Sequence, residues 1–285
     1  MLRSSPMQSL PEHLLSIAAK GLVDAHAHVY PQKIADKACA GVAAFYGLSR
    51  VPVGGTPEHL LAERDAFGVS HTVVHSVATT REQVRAVNDF LAAQGDCPRF
   101  WPFGTLHPDM DAAEIRDELA RMQALGLHGL KLHPDCQRFA VDGPRGRRIL
   151  EAVPPCFPVL LHAGDRRFDF SHPAQIAAVA RDYPHLRFVA AHFGGWSEWD
   201  RLAPCRGLPN LWFDTSSTIG FIGPARAAAL LREFGPDRFF FATDYPMWSI
   251  RDELRLVGEM GLDDAELEAV FHLNAERVLD ISPAP

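Results

Sequence analysis

Short apolar runs recur along the chain and alternate with polar stretches in which apolar residues have helical spacing. The runs are rich in Val, Leu, Phe and Ile and lack the polar alternation of a half-exposed strand. This pattern is typical of strands buried on both faces of a parallel sheet. We predict a strand in each of eight runs: residues 22–28, 70–78, 100–106, 127–133, 158–163, 187–192, 210–215 and 238–244.

The stretches between these strands carry helix signals. Thr56-Pro57 has the form of an N-cap followed by a first-turn proline, and Gly126 and Gly235 are placed as C-terminal stops. We predict helices in residues 56–67, 82–93, 111–125, 174–182 and 224–234. Eight β/α units predict an α/β protein folded as a (β/α)8 TIM barrel. An open doubly wound sheet is disfavoured because no glycine-rich phosphate loop follows the first strand.

Three regions depart from the β/α repeat. The first 20 residues predict an extra N-terminal helix outside the barrel, residues 31–55 form a lengthened loop after strand 1, and residues 263–279 predict one or two terminal helices. No second zone of composition interrupts the chain. We therefore expect a single domain over residues 1–285, with the barrel proper over about 21–280.

The composition narrows the class of function. The formal net charge of −7 argues against a nucleic-acid partner, because phosphate binding needs a basic surface. Five cysteines without a C-x-x-C pair indicate free thiols in a reducing compartment. No apolar run approaches the roughly 20 residues of a membrane span, and the N-terminal segment lacks the apolar core of a secretory signal. We expect a cytoplasmic protein that does not bind membranes.

Five of the eight predicted strands end in residue types that bind metals, and catalytic groups in a barrel come from these C-terminal strand ends. The residues are His26 and His28 on strand 1, Lys131 and His133 on strand 4, His162 on strand 5, His192 on strand 6 and Asp244 on strand 8.

A His-x-His pair alone is a weak signal, because 14 histidines in a chain of this length produce about one such pair by chance. Residues i and i+2 of a strand share a face, however, so His26 and His28 can chelate one ion. The convergence of four histidines and an aspartate on one rim predicts a metal site.

The strand-end motifs occur in the order VDAHAHVYP, GLKLHP, LLHAGD, FVAAHFGG, WFDTSS and FATDYPMW. In this combination the sequence resembles the amidohydrolase-2 group of the amidohydrolase superfamily, which is similar to aminocarboxymuconate-semialdehyde decarboxylase and includes many TIM-barrel metal-dependent hydrolases. The resemblance runs from about residue 21 to the end of the chain, including the segment NAERVL at residues 274–279.

The resemblance implies that His26, His28, His162 and Asp244 bind one divalent metal ion. His192 would stand beside a metal-activated water as a proton shuttle, and Asp244 could also accept a proton. Three imidazoles and one carboxylate suit Zn2+ best, with Mn2+, Fe2+ and Co2+ left open.

Several other residues have two readings. A lysine on strand 4 is a carbamate that bridges two metals in some superfamily members, and Lys131 would have this role in one reading. In the other reading it is a buried lysine that forms an ion pair with a carboxylate such as Asp24. His133 would line the pocket and bond substrate, or be structural. His71 and His75 lie in strand 2 without a partner motif, and we interpret both as structural.

Loop residues near the strand ends are candidates for substrate contacts. Arg50, Arg166 and Arg167 lie on the expected active-site side, where an arginine can bind a substrate carboxylate through paired hydrogen bonds. Trp248 follows the last strand end and would form part of an aromatic wall. Solvated arginines and simple packing are the alternatives.

These features favour a metal-dependent hydrolase that uses an activated water to attack an ester, lactone or amide carbonyl of a small molecule. The alternative is a metal-dependent, non-oxidative decarboxylase of an unsaturated or aromatic acid, and a third reading is a metal-binding barrel without catalysis. An arginine fixed over the metal favours the lyase, whereas a wide, neutral, aromatic pocket favours the hydrolase. Related enzymes are often homodimers, and a deoxyribonuclease-like activity is disfavoured by the acidic charge balance.

Overall fold

The computed structural model describes residues 10–49, 51 and 53–282, and these contain all eight predicted strands. The third predicted strand is divided in two at Phe103, and all paired strands run parallel. The strands are β1 (Val23–His28), β2 (His71–His75), β3 (Phe100–Pro102), β4 (Gly104–Thr105), β5 (Leu130–Leu132), β6 (Val159–Leu161), β7 (Phe188–Ala190), β8 (Leu211–Asp214) and β9 (Phe239–Phe240).

The strands follow one another around a ring in chain order. β1, β2 and β3 pair in sequence, and β4 to β9 pair in sequence. At the first junction the amide of Phe103 donates to the carbonyl of Val74 at 2.9 Å. At the second junction the amide of Ala25 donates to the carbonyl of Phe241 at 2.9 Å, and Ala27 forms a parallel bridge with Tyr245. Backbone hydrogen bonds thus join the last strand to the first, and the predicted (β/α)8 barrel is confirmed.

Helices fill the connections. They are α1 (Glu12–Ala18), α2 (Ala35–Tyr46), α3 (Pro57–Asp65), α4 (Val84–Ala92), α5 (Ala112–Ala124), α6 (Pro134–Gln137), α7 (Pro144–Leu150), α8 (Pro173–Asp182), α9 (Ile219–Ile222), α10 (Pro224–Phe234), α11 (Ile250–Gly258), α12 (Asp264–Glu268) and α13 (Asn274–Leu279). The extra N-terminal helix and the terminal helices occur as expected, while the lengthened loop after β1 contains a helix, α2, that the sequence analysis did not assign. Within the described part of the chain, no helix combines the length and the apolarity needed to cross a bilayer.

The barrel interior is filled by small and medium apolar side chains that alternate along each strand. Val23 and Ala25 of β1, Val73 of β2, Leu160 of β6 and Phe240 of β9 belong to this interior cluster. Because strand side chains alternate with period two, the next inward positions after Val73 and Leu160 are His75 and His162, at the C-terminal strand ends. Those positions carry polar residues instead of apolar ones, and they form the floor of the site.

Candidate metal centre and active site

A β-bulge in β1 turns two histidines toward the barrel axis. Asp24 pairs with Thr72 and Ala27 pairs with Val74, so β1 has one residue more than β2 between these two pairs. Bulges of this kind re-aim side chains next to active sites. His26 and His28 both project inward, and their Nε2 atoms are 3.3 Å apart.

Asp244, at the end of the last strand, completes a compact group with these histidines. Asp244 Oδ1 is 3.4 Å from His26 Nε2 and 3.4 Å from His28 Nε2. We call His26, His28 and Asp244 the donor triad. Atoms bound tetrahedrally to Zn2+ at about 2.0–2.1 Å lie about 3.3–3.4 Å from one another. The spacing in the donor triad therefore matches three corners of one coordination sphere.

The charge states of the donor triad also suit a cation. Burial lowers the pKa of His26 well below its usual value, so its imidazole is neutral. Burial opposes ionisation of Asp244, but the neighbouring imidazoles of His26 and His28 outweigh it and lower the pKa of the carboxyl. Two imidazole nitrogens and a carboxylate oxygen then face one point, where a cation can take the place of the hydrogen bond between His28 and Asp244.

Asp214, at the end of β8, orients His26 from behind. Its Oδ2 accepts a hydrogen bond from His26 Nδ1 at 2.8 Å, which places the lone pair of His26 on Nε2, the nitrogen that faces His28 and Asp244. Its Oδ1 accepts from the backbone amide of His192 at 3.0 Å and from Ser216 Oγ at 2.6 Å. The sequence analysis quoted the motif WFDTSS but assigned no role to this aspartate. The available signal was its strand phase, because Trp212, two residues earlier, packs against the barrel interior.

His162 and His192 form a second group, which we call the histidine pair. His192 Nε2 lies 3.1 Å from His162 Nδ1, and His192 Nδ1 lies 2.9 Å from Ser216 Oγ. Gly164 and Gly195 permit this approach, because a Cβ on Gly164 would stand 2.6 Å from the Gly195 backbone. His162 Nε2 is 3.0 Å from the Gly164 carbonyl oxygen. The predicted fourth metal ligand thus contacts His192 and its own loop rather than a member of the donor triad.

Lys131 and His133 both project into the site from β5. Lys131 is fully buried with its Nζ 3.2 Å from His26 Nε2, and burial lowers its pKa to about 8. The suggested ion pair between Lys131 and Asp24 is wrong, because Asp24 is bound on the other side of β1 by the buried Arg64. His133 stacks on His162 with ring centroids 3.9 Å apart.

Two residues to which the sequence analysis gave no functional role lie in the same polar layer. His75, interpreted there as structural, is buried at the end of β2 with its ring centroid 4.4 Å from that of His28 and 4.7 Å from that of His26. Tyr46 reaches in from α2, with its hydroxyl 2.9 Å from His133 Nε2. His75 could have been found from its inward strand phase, two residues after Val73. The sequence offers no comparable signal for Tyr46, because α2 lies in the long loop.

A pocket opens above these groups, with about 350 Å³ of empty volume including its mouth. Its lining residues are Tyr46, Leu48, His162, His192, Trp196, Ser217, Phe221, Asp244, Met247 and Trp248. Trp248 lies in the wall as predicted, and it also supports the floor, since its Nε1 donates to Ser217 Oγ at 2.8 Å and Ser217 Oγ donates to Asp244 Oδ2 at 2.6 Å.

The loop arginines considered for substrate contact have other partners. Arg166 forms an exposed ion pair with Asp200 at 2.7 Å and does not line the pocket, which agrees with the alternative of a solvated loop arginine. Arg167 packs its guanidinium over the Tyr46 ring at 5.4 Å, and its charge is paired with Asp165. Arg50 lies outside the described residues.

Strained backbone is concentrated at the same strand ends. His192, Ser217 and Asp244 have φ angles of 61°, 49° and 58°, in the left-handed region that residues other than glycine rarely adopt. Such conformations cost about 1–3 kcal/mol each and occur most often at functional sites. All three residues line the pocket.

The chain matches the amidohydrolase family model over residues 23–281. No curated protein matches the sequence. Among solved structures, an uncharacterized TIM-barrel protein from Bordetella bronchiseptica has a TM-score of 0.74 at 18% identity, covering 91% of this chain and 98% of that one.

Two similar structures have described activities. A 5-carboxyvanillate decarboxylase from Novosphingobium aromaticivorans, complexed with manganese and 4-hydroxy-3-methoxy-5-nitrobenzoic acid, has a TM-score of 0.68 at 18% identity and covers 91% of this chain and 96% of its own. A "probable 2-pyrone-4,6-dicarboxylic acid hydrolase" from Acinetobacter baumannii has a TM-score of 0.66 at 16% identity, with coverages of 91% and 99%. At this identity the structures establish the fold alone. With the family model covering nearly the whole chain, the protein belongs to the amidohydrolase family.

Proposed function

We propose that this protein is a metal-dependent, non-oxidative decarboxylase that removes CO2 from a small aromatic or unsaturated carboxylic acid. The observation that carries the proposal is the donor triad on the floor of a pocket walled by aromatic rings. Decarboxylases of substituted benzoates are frequent among the solved structures that share this fold. This reading replaces hydrolysis as the leading hypothesis.

The donor triad fits one divalent cation. Its two imidazole nitrogens and one carboxylate oxygen suit Mn2+, Co2+, Fe2+ or Zn2+, and the manganese in the N. aromaticivorans decarboxylase favours Mn2+ over the Zn2+ expected from the sequence. When bound, such an ion supplies positive charge that polarises substrate oxygens and stabilises the electron-rich transition state. Asp214 holds the His26 tautomer that this binding requires.

The histidine pair supplies the proton that replaces the carboxylate on the substrate carbon. When the bond to the carboxylate carbon breaks, its electron pair stays on the substrate carbon, CO2 leaves, and one proton must be delivered to that carbon. A hydrogen bond between His162 Nδ1 and His192 Nε2 requires a proton on one of the two nitrogens. His192 lines the pocket and its Nδ1 is held by Ser216, so its Nε2 can donate this proton to the substrate carbon once it exchanges its contact with His162 for one with the substrate. Asp244 is a poorer donor because its pKa is lowered.

The pocket walls suit a flat ring. Tyr46, Trp196, Phe221 and Trp248 surround the opening above the floor, where they exclude water and can stack on an aromatic or conjugated substrate. Lys131 does not line the pocket, but its buried ammonium, 3.2 Å from His26 Nε2, places a positive charge within the polar layer, where it stabilises negative charge on a bound substrate.

Hydrolysis of a lactone or ester is the second candidate. One specific observation favours it: no arginine is among the described residues that line the pocket, and the walls are largely aromatic. The same floor would then direct an activated water at a carbonyl. The likeness to the A. baumannii protein is consistent with this chemistry.

The two candidates are separated by product analysis. The full chain is loaded with Mn2+ and incubated in D2O with a panel of hydroxybenzoic acids, unsaturated acids, lactones and aryl esters. Decarboxylation releases CO2 and leaves one deuterium on the carbon that carried the carboxylate. Ring opening or ester cleavage without CO2 would replace the lyase with the hydrolase. Turnover of neither group by a metal-loaded protein would contradict both.

A further inference from the structure

His75 is a fully buried imidazole whose two ring nitrogens have no hydrogen-bond partner among the described residues. A buried polar atom left unpaired costs about 1–3 kcal/mol. Burying two of them in one ring requires a compensating partner that the described residues do not supply.

The neighbouring histidines show how unusual this is. His26 Nδ1 is paired with Asp214, His192 Nδ1 with Ser216, and His133 with both Tyr46 and the amide of Cys136. The fold therefore supplies partners for the other buried imidazoles of the layer. Of the four histidines compared here, only His75 has no hydrogen-bond partner on either ring nitrogen among the described residues.

The position of His75 identifies that partner. Its ring is nearly perpendicular to the ring of His28, and one ring nitrogen each from His26, His28 and His75 lie within 4.8 Å of one another. The ring of His75 contacts the rings of His26 and His28, and among the described residues no carboxylate forms a hydrogen bond with it. A neutral imidazole with a free lone pair is the form that binds metal ions.

We propose that His75 is a metal-binding residue, donated by β2 and acting together with His26 and His28. The inference rests on the proposed function, because it requires a divalent ion at the donor triad. It adds a third imidazole to the carboxylate of Asp244, a donor set that favours ions with affinity for nitrogen. His75 would then occupy the fourth position that the sequence analysis gave to His162.

The test is a titration of the metal-free full chain with Co2+, followed by its visible absorption, which depends on the number and type of donors. Two variants at the site are compared. His75→Phe keeps the ring volume and removes both nitrogens, and His75→Gln keeps polarity. His71→Gln, at the first residue of the same strand, is the matched control.

If His75 is a donor, both His75 variants bind Co2+ at least about ten-fold more weakly and change its visible spectrum, while His71→Gln changes neither. Without metal, His75→Phe keeps or raises the Tm, because two unpaired buried nitrogens disappear. Unchanged Co2+ affinity and spectrum in a folded His75→Phe would overturn the assignment and leave a buried water as the partner of His75. Absence of Co2+ and Mn2+ binding by the unmodified protein would instead overturn the proposed function, and this assignment with it.

Discussion

The donor triad and the histidine pair lie in one polar layer but differ in how their atoms are satisfied. In the donor triad, three lone-pair atoms approach one another at 3.3–3.4 Å, and the outer atoms of the group are held by Asp214 and Ser217. In the histidine pair, one ring nitrogen contacts the other ring and the remaining nitrogens contact a carbonyl and a hydroxyl.

This difference separates two kinds of chemistry. Three donor atoms that converge on one point at coordination distances suit a cation, whereas a pair of hydrogen-bonded imidazoles holds a proton between its rings and can move it. We infer that the first group binds the metal and that the second transfers protons. Residue type alone, four histidines and an aspartate, does not make this distinction.

The largest effect is expected from the donor triad. Asp244→Asn removes its anionic donor, so metal content should fall from about one equivalent per chain to near zero, and activity should fall by more than about 10³-fold because metal polarisation contributes several kcal/mol. Elemental mass spectrometry of protein purified without chelator measures the metal. Asp109→Asn, at an exposed aspartate, is the control. Two equivalents of metal per chain in the unmodified protein would contradict the distinction between the two groups. The histidine pair would then hold a second ion, bridged to the first by a carbamate on Lys131.

An intermediate effect is expected from the histidine pair. His192→Ala should retain the metal and lose about 10²–10⁴-fold in activity, the usual contribution of general acid–base catalysis. Metal content and kcat are measured on the same preparation, and added imidazole should restore part of the activity. Loss of the metal in His192→Ala would show that both groups bind metal.

The smallest effect is expected outside both groups. Arg166→Ala removes an ion pair whose two side chains are more than half exposed, so the free energy of unfolding should change by less than about 1 kcal/mol and kcat/KM by less than about two-fold. Urea unfolding and steady-state kinetics check these values. A rise in KM of ten-fold or more would instead support the substrate contact that the sequence analysis considered for Arg166.

Much of the site could be predicted from strand ends. Lys131 and His133 lie in the polar layer because the period of two on β5 directs both side chains inward. His26, His28 and His192 could be found from their residue type at a strand end, but the bulge in β1 turns the first two inward and His192 has a left-handed backbone. The same phase argument applies to His75 and Asp214, and a strict count of alternating positions on β2 and β8 would have included them. The family resemblance implied no role for either residue.

Other features could not be predicted because they depend on contacts between distant parts of the chain. Tyr46 reaches His133 across 87 positions, and Arg64 reaches Asp24 across 40. The pairing of Arg166 with Asp200 depends on how two loops pack. Loops after strands have no repeating pattern from which such contacts follow.

The sequence by itself determined the barrel, its extra N-terminal helix and the rim that carries the chemistry, because burial on both faces and the period of two are local properties of each strand. Only the tertiary structure decided which histidines face a common point and which face each other. That distinction depends on differences of about an ångström set by the bulge in β1 and by the close packing of Gly164 against Gly195, and such differences arise from the packing of the whole barrel.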